Sequence, residues 1–294
     1  MSSELQERPE SPAYDLILQG GTVIDPVAGT SQRADVAIAD GRIARIERDI
    51  PVADAARVVD VAGKYVTPGL IDIHVHLDPH YYVGGIVADG QSFSAGVTTM
   101  VDAGSSGANN WDVFNEVTVK RSKTRVLAFL NVVDGGMLGE VEQDTFRMRS
   151  ELAAEVACAN PDVIVGIKVA HYWTWQPYDA DHGPWTNVDR GVAAARLCGK
   201  PLMVDFWPRP ERPYEDLILS KLGPGDIHTH VFAQQFPIIR EDGTLNPALL
   251  EARERGVIFD CGHGGGSFWF RNAVPAVRQG FVPDSMGTDL HTGN

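Results

Sequence analysis

Two histidines at the end of an apolar stretch could form the beginning of a metal site. Residues 66–73 are mostly apolar and rich in β-branched side chains, which predicts a buried strand. Side chains two positions apart on a strand face the same way, so His74 and His76 should project together from its end. Converging imidazoles are typical ligands of divalent metals, although a hydrogen-bonded pair of core histidines would fit the same spacing.

A lysine interrupts another apolar segment. Residues 163–169 are otherwise apolar, and burying the ammonium group of Lys168 without a partner would be costly. The side chain could reach solvent or pair with a carboxylate. Alternatively, burial lowers its pKa enough for the neutral amine to react with carbon dioxide, and the resulting carbamate could bridge two metal ions.

Further candidate ligands stand at the ends of later apolar segments. Asp205 lies near the end of one, His228 and His230 lie in the next, and Asp289 ends the last. A single buried polar residue means little, but a set at successive strand ends is hard to explain by core packing. These residue types together indicate a metal centre.

Eight strand-like segments alternate with amphipathic stretches and predict how these residues are positioned. This pattern is typical of parallel β/α organisation, and the count predicts a (β/α)8 TIM-type barrel, in which chemistry collects at the carboxyl ends of the strands. An open doubly wound sheet is the alternative, but no Gly-x-Gly-x-x-Gly follows the first strand. The segments are 69–74, 98–102, 125–132, 163–169, 201–206, 226–231, 256–260 and 284–289. The helix-like stretches are 144–159, 187–199, 246–255 and 270–280.

The first part of the chain has a different pattern. Residues 14–66 predict a small β-sandwich-like module with separate strands at 14–18, 22–24 and 35–38, and with a hairpin turn at Asp40-Gly41. Residues 1–13 are polar and predict a disordered tail, and residues 67–294 form the predicted barrel.

Composition excludes several classes of protein. The net charge of −14, from 39 acidic and 25 basic residues, argues against a nucleic-acid-binding surface. No apolar run is long enough for a membrane span, and the N-terminus lacks the apolar core of a signal peptide. The three cysteines are far apart, which favours reduced thiols in a cytoplasmic protein.

Several motifs together resemble the amidohydrolase superfamily, most closely its dihydroorotase-like branch of amidohydrolase/deacetylase metallohydrolases. The likeness runs from residue 14 to the C-terminus. The motifs are Pro-Gly-Leu-Ile-Asp-Ile-His-Val-His-Leu at 68–77, Gly-Val-Thr-Thr at 96–99, Asp-Ala-Gly at 102–104, Gly-Ile-Lys at 166–168, Thr-His at 229–230 and Thr-Asp-Leu-His at 288–291. Each is weak alone, and they are specific jointly.

The resemblance implies a centre of one or two divalent ions, zinc in the first place, with manganese as the alternative. By that likeness His74, His76 and Asp289 hold the more buried ion. Lys168, as its carbamate, bridges to a second ion, and His230 matches a histidine of that second site.

One position departs from the family pattern. The family usually has a histidine at the end of the fifth strand, and this chain has Asp205. Asp205 could still ligate zinc, or it could indicate a single-metal site or a harder second ion such as manganese. His171 is another source of the missing imidazole, ranked below Asp205. His228 competes with His230, since both face inward if the strand keeps its register, but the Thr-His order favours His230.

The resemblance also implies roles in catalysis. Asp289 would accept a proton from the metal-activated water and deliver it to the leaving group, although a helix N-cap is the alternative for this residue. His263 and His291 are candidate substrate contacts, as is Tyr172 in the pocket wall. His263 could equally be a histidine in a flexible loop, and aromatic residues often just cover a barrel rim.

The chain ends at Asn294, just past the eighth strand, whereas the family continues with a last helix and with strands that complete the β module. We therefore expect a truncated protein whose barrel lacks that helix, with reduced stability or dependence on association such as a homo-oligomer.

The leading hypothesis is a cytoplasmic metal-dependent hydrolase of an amide or ester bond in a small molecule, either a deacetylase or a cyclic amidase. The second hypothesis is a catalytically impaired relative that keeps the barrel as a binding or assembly module. It rests on Asp205 in place of the usual histidine and on the end of the chain at Asn294. A dihydroorotase proper would need an arginine or asparagine near the first histidines to hold a carboxylate, and residues 77–80 supply none.

Overall fold

The computed structural model describes residues 12–80 and 84–294. The predicted disordered tail, residues 1–13, therefore lies almost wholly outside the described residues. The described chain divides into two compact units, one ending at Leu70 and the other beginning at Ile71.

The first unit is one five-stranded sheet. Its strands are β1 (Leu16–Asp25), β2 (Thr30–Ala39), β3 (Arg42–Glu47), β4 (Val58–Asp60) and β5 (Tyr65–Val66), in the order β3-β2-β1-β4 with β5 paired to β1. The prediction of separate strands at 14–18 and 22–24 is wrong, because β1 runs through both and only shifts register between Leu18 and Gly21. The predicted hairpin is confirmed: Asp40 and Gly41 both have positive φ, at 51° and 69°, as a type I′ turn requires.

The second unit is a parallel sheet of seven strands in chain order. They are β6 (Leu70–Val75), β7 (Val97–Gly107), β8 (Arg125–Asn131), β9 (Ile164–Val169), β10 (Leu202–Val204), β11 (Ile227–His228) and β12 (Ile258–Phe259). The predicted eighth strand closes the ring through two parallel bridges, Ser285 to Asp260 and Leu290 to Val75. The predicted TIM-type barrel is thereby confirmed.

Helices follow most of the strands. They are α1 (Ala88–Ala95), α2 (Trp111–Phe114), α3 (Ser150–Ala159), α4 (Thr186–Cys198), α5 (Tyr214–Asp216), α6 (Ala248–Glu254) and α7 (Phe270–Arg278). A π-helical turn extends α2 over Asn115–Val119 and α5 over Leu217–Lys221, and 3-10 turns span Val52–Asp54, Gly139–Gln143 and Thr145–Arg147. The helix predicted from 144 begins only at Ser150, because the segment before it forms that last 3-10 turn. Among the described helices, none has the length and apolarity that a bilayer crossing needs.

The inside of the barrel has an apolar lower layer. Val101, Phe129, Met203 and Ile227 are buried there as one cluster. Lys168 lies just beyond this layer, with its Nζ atom 3.9 Å from the sulfur of Met203. The apolar layer therefore fills one end of the barrel and leaves the carboxyl ends of the strands to polar side chains.

Candidate active site

Most of the predicted ligands line one cavity of about 440 Å³ at the carboxyl ends of the barrel strands. The cavity walls include six of the predicted metal ligands together with two further histidines. These residues are His74, His76, Lys168, Asp205, His230 and Asp289, with His171 and His291 beside them.

In the innermost part of the cavity, His74 and His76 both lie next to the carboxylate of Asp289. Oδ1 of Asp289 lies 3.1 Å from Nε2 of His76 and 3.4 Å from Nε2 of His74. Two ligands on one tetrahedral zinc, with bonds of about 2.0–2.1 Å, lie roughly 3.3 Å apart. A ligand atom from each of His74, His230 and Asp289 lies within 4.8 Å of the others. This donor set therefore fits a divalent metal ion.

Lys168 enters the cavity from β9. The residue is 2% exposed and its Nζ lies 3.3 Å from Nε2 of His74. Among the described residues, no carboxylate oxygen lies within 4.0 Å of that Nζ, so the alternatives of a solvent-reaching or ion-paired lysine do not hold. Burial lowers the pKa of Lys168, which favours the neutral amine.

A glycine makes room for this lysine. A Cβ atom at Gly104 would lie 2.6 Å from Cγ of Lys168, which is closer than real Cβ contacts. Gly104 also has φ at +88°, a conformation that other residues rarely adopt. The Asp-Ala-Gly motif within the second barrel strand, β7, is therefore part of the architecture of the site.

The backbone is left-handed at two candidate ligands. His230 has φ at 58° and Asp289 has φ at 52°, and strained conformations of this kind cluster at functional sites. The prediction that His228 and His230 face the same way is wrong, because strand alternation ends at this turn. Thr229 faces His74, and His230 then turns into the cavity. His228 instead packs on the other side, against the rings of Tyr214, Phe236 and Phe259.

Asp205 and His171, the two alternatives for one metal ligand, lie next to each other in the cavity. Nδ1 of His171 lies 3.1 Å from Oδ2 of Asp205, and Nε2 of His230 lies 3.9 Å from the same oxygen. The hydrogen bond to Asp205 raises the pKa of His171 to about 9. Burial acts to raise the pKa of Asp205, but the charges of His230 and His171 hold it well below its usual range.

Comparison with known proteins identifies the family. No family model matches the sequence. A deacetylase of Brucella anthropi is 33% identical over 287 residues, which cover 92% of this chain and 68% of the relative. The chain belongs to the amidohydrolase superfamily. A deacetylase of Agrobacterium fabrum is also 33% identical over 287 residues, covering 92% of the amidohydrolase chain and 67% of the relative.

Solved structures agree with this assignment. The crystal structure of an adenine deaminase superposes with a TM-score of 0.81 at 30% identity, over 94% of this chain and 73% of that one. The crystal structure of a dihydroorotase superposes with a TM-score of 0.76 at 29% identity, over 95% of this chain and 74% of that one. The chain is thus an amidohydrolase enzyme acting on carbon–nitrogen bonds other than peptide bonds, and the prediction of an enzyme is confirmed.

The amidohydrolase site has supporting residues that sequence reasoning missed. Nδ1 of His74 lies 2.8 Å from Oγ1 of Thr229, and that hydroxyl donates to Oδ2 of the fully buried Asp260 at 2.8 Å. Because the single hydroxyl proton goes to Asp260, Nδ1 of His74 must donate to Thr229. The Nε2 atom of His74 then keeps a lone pair that faces the cavity, as a metal ligand needs.

Two more buried carboxylates hold the backbone of the amidohydrolase site. Asp72 accepts hydrogen bonds from the backbone N–H of His74 at 3.2 Å and from the hydroxyl of Thr288 at 2.6 Å, which links the first strand to Asp289. Asp102 accepts from the backbone N–H of Leu77 at 2.7 Å. Asp72 and Asp102 lie in apolar predicted strands and Asp260 ends one, which is a sequence signal that could have indicated these roles.

Replacing Thr229 with valine is expected to weaken metal binding by about 10–100-fold, the usual cost of losing an outer partner of a metal-ligating histidine. Valine has the same shape but cannot relay the hydrogen bond from His74 to Asp260. Metal affinity measured by competition with a chromogenic chelator checks this, with the exposed Thr244→Val as control. Unchanged affinity in Thr229→Val would show that the relay does not support His74.

The three candidate substrate contacts have different positions in the amidohydrolase. His291 lines the cavity, with its ring centroid 6.1 Å from that of His76. His263 is exposed and stacks on Phe268 outside the cavity wall. Tyr172 is 1% exposed and its ring packs against Trp173, so the structure does not place it in the wall.

Replacing His228 with leucine is expected to leave metal content unchanged and to reduce the acid sensitivity of the fold. Burial lowers the pKa of His228 to about 3, below the value of about 6.5 in an unfolded chain. The unfolded state therefore takes up a proton between those values, and stability falls by about 1.4 kcal/mol per pH unit as the pH drops through that range. Urea unfolding of metal-free protein between pH 7 and pH 4 measures this slope, which should be smaller in His228→Leu. An identical slope would contradict the argument.

Proposed function

We propose that this amidohydrolase is a metal-dependent deacetylase, which uses a metal-activated water to remove an acetyl group from a small-molecule amide or ester. The convergence of His74, His76, His230 and Asp289 on one cavity, with a buried lysine among them, is the observation that carries the proposal. The two curated relatives named deacetylase, each 33% identical, support the choice of reaction. The likeness to a dihydroorotase structure favours a cyclic amidase as the second candidate.

In the proposed site, His74, His76 and Asp289 hold one divalent ion, with zinc preferred by the histidine ligands. Lys168, as its carbamate, would supply a further anionic oxygen ligand, and His230 and Asp205 would hold a second ion. His171 hydrogen-bonds Asp205 and is the alternative ligand on that side. Asp205 in place of a histidine makes manganese a candidate for the second ion. When bound, such ions lower the pKa of a water molecule towards neutrality and polarise the scissile carbonyl.

Asp289 is the proposed proton carrier. Burial acts to raise its pKa, but the hydrogen bond from His76 holds that pKa well below its usual range. Asp289 is therefore an ionised carboxylate at neutral pH, as the acceptor of a proton from the attacking water must be. It then delivers that proton to the leaving nitrogen or oxygen.

The proposal is tested by assaying metal-free, zinc-loaded and manganese-loaded protein on one substrate panel. The panel contains N-acetyl amines, N-acetyl amino acids, acetyl esters, hydantoins and dihydroorotate, and mass spectrometry counts the bound ions. We expect acetate release only from metal-loaded protein. Full hydrolysis by metal-free protein, or no reaction with any compound by loaded protein, would contradict the proposal, and ring opening without acetate release would select the cyclic amidase.

We also propose a cytoplasmic location. Cys158, Cys198 and Cys261 are free thiols in the described chain, with Cys158 exposed. Free exposed thiols are typical of a reducing compartment.

A further inference from the structure

A pair of tryptophans lines the cavity beside the candidate ligands. The ring centroids of Trp175 and Trp207 are 5.0 Å apart, with an edge-to-face angle of 63°. Both residues belong to the cavity wall, and Trp175 is 76% exposed. Indole faces left open at a cavity are surfaces on which another aromatic ring packs in an offset or edge-to-face arrangement.

The two indoles come from loops that directly follow candidate ligands. Trp207 lies two residues after Asp205, and Trp175 lies four residues after His171. The side chains of Asp205 and His171 are hydrogen-bonded at 3.1 Å. The tryptophan pair and this pair of candidate ligands therefore line the same cavity on connected stretches of chain.

The loop that carries Trp175 is braced on both sides of it. Nη1 of Arg209 donates to the backbone carbonyls of Trp173 at 3.0 Å and of Gln176 at 2.6 Å. The fully buried Arg212 donates to the carbonyl of Tyr172 at 2.5 Å. Because these hydrogen bonds hold the backbone of the loop, ordering that backbone costs little further free energy when a ligand packs on Trp175.

The other described residues of the cavity wall are uncharged. Apart from the candidate ligands and His291, the described lining residues carry no ionisable side chain, and Gln234 and Gln235 are among them. A carboxylate on the substrate would find no arginine there, and Lys168 is committed to the metal centre in the proposed function. The chemistry of the wall favours an uncharged aromatic group.

We propose that Trp175 and Trp207 bind an uncharged aromatic ring of the substrate, so that the enzyme deacetylates acetylated amines whose carbon chain carries an aromatic ring. This inference rests on the proposed function for the reaction, but the binding part can be tested separately. A stable ketone in which CH2 replaces the amide N–H keeps the shape of N-acetyl-2-phenylethylamine and cannot be hydrolysed. The corresponding cyclohexyl ketone is at least as apolar but has no π face.

Calorimetric titration of zinc-loaded protein with the two ketones, 5-phenylpentan-2-one and 5-cyclohexylpentan-2-one, measures the preference. We expect the phenyl compound to bind roughly five- to tenfold more tightly, because only its ring gains aromatic contacts beyond apolar burial. In Trp175→Leu and in Trp207→Leu the ratio of the two affinities should fall to about one. Phe146→Leu, at an aromatic residue that is 78% exposed and outside the cavity wall, is the matched control and should keep the wild-type ratio.

Equal affinities in the wild-type protein would overturn the inference, as would a phenyl preference that survives both tryptophan substitutions. Using the ratio separates this result from a general loss of affinity or folding. Hydrolysis of N-acetyl-2-phenylethylamine is assayed in parallel. A phenyl preference without hydrolysis of any acetyl compound would leave the aromatic site standing and overturn the deacetylase, whereas hydrolysis without a preference would do the reverse.

Discussion

Replacing Lys168 with alanine is expected to lower kcat/KM on the order of a thousandfold or more, since the centre loses a proposed anionic oxygen ligand. The residue is buried beside His74 and has no carboxylate partner within ion-pair distance among the described residues. Metal content should fall in the same variant. Steady-state kinetics and mass-spectrometric metal analysis of protein purified with added zinc check both expectations.

A small carboxylate should restore part of this activity. If the lysine acts as its carbamate, then acetate or propionate in the space left by Lys168→Ala can supply the same oxygen ligands. Lys168→Met fills that space and should not be rescued, and Lys123→Ala, at an exposed lysine, should behave as wild type. Full activity of Lys168→Ala without added carboxylate would rule out the ligand role of Lys168.

Replacing Asp289 with asparagine is expected to lower kcat by roughly 10²–10⁴-fold, the usual contribution of a positioned general acid–base group. Asparagine has nearly the same shape and keeps an oxygen that can face His74 and His76, but its amide cannot carry the proton. The loss should therefore be much larger in kcat than in metal content. Asp242→Asn, in an exposed turn, is the matched control.

Two results would contradict this role. If kcat is lost only in proportion to metal content, Asp289 acts as a ligand and not as the proton carrier. If kcat is retained, another group moves the proton, and His291 in the same wall would be the next residue to replace.

The positions of the barrel strands and of most candidate ligands could be predicted from the sequence, because both depend on local pattern. Apolar runs separated by amphipathic stretches fix the β/α order, and a buried strand with a polar end is a local signal. The left-handed turns at His230 and Asp289 are different. They depend on hydrogen bonds from neighbouring strands, as when the N–H of Asp289 donates to the carbonyl of His74, and no periodicity predicts them.

The same reason accounts for the misplaced residues. His228 and His230 have the same spacing as His74 and His76. Both histidines of the first pair face the cavity, whereas the left-handed turn at His230 leaves only His230 of the second pair facing it. Tyr172 stands near Lys168 in the sequence, but packing against Trp173 and the buried Arg212 keeps it inside. The contribution of Thr229 could not be predicted either, since it arises only when β11 lies beside β12 and brings Asp260 within reach.

The relay from His74 through Thr229 to Asp260 has a consequence for how the proposed metal ion would bind. Burial lowers the pKa of His74 to about 3. Nε2 of His74 therefore stays unprotonated even at mildly acidic pH, at which an ordinary surface imidazole would already have bound a proton. An incoming metal ion would therefore not compete with hydrogen ions at Nε2 of His74, which the hydrogen bond from Nδ1 to Thr229 already holds as an unprotonated ligand atom.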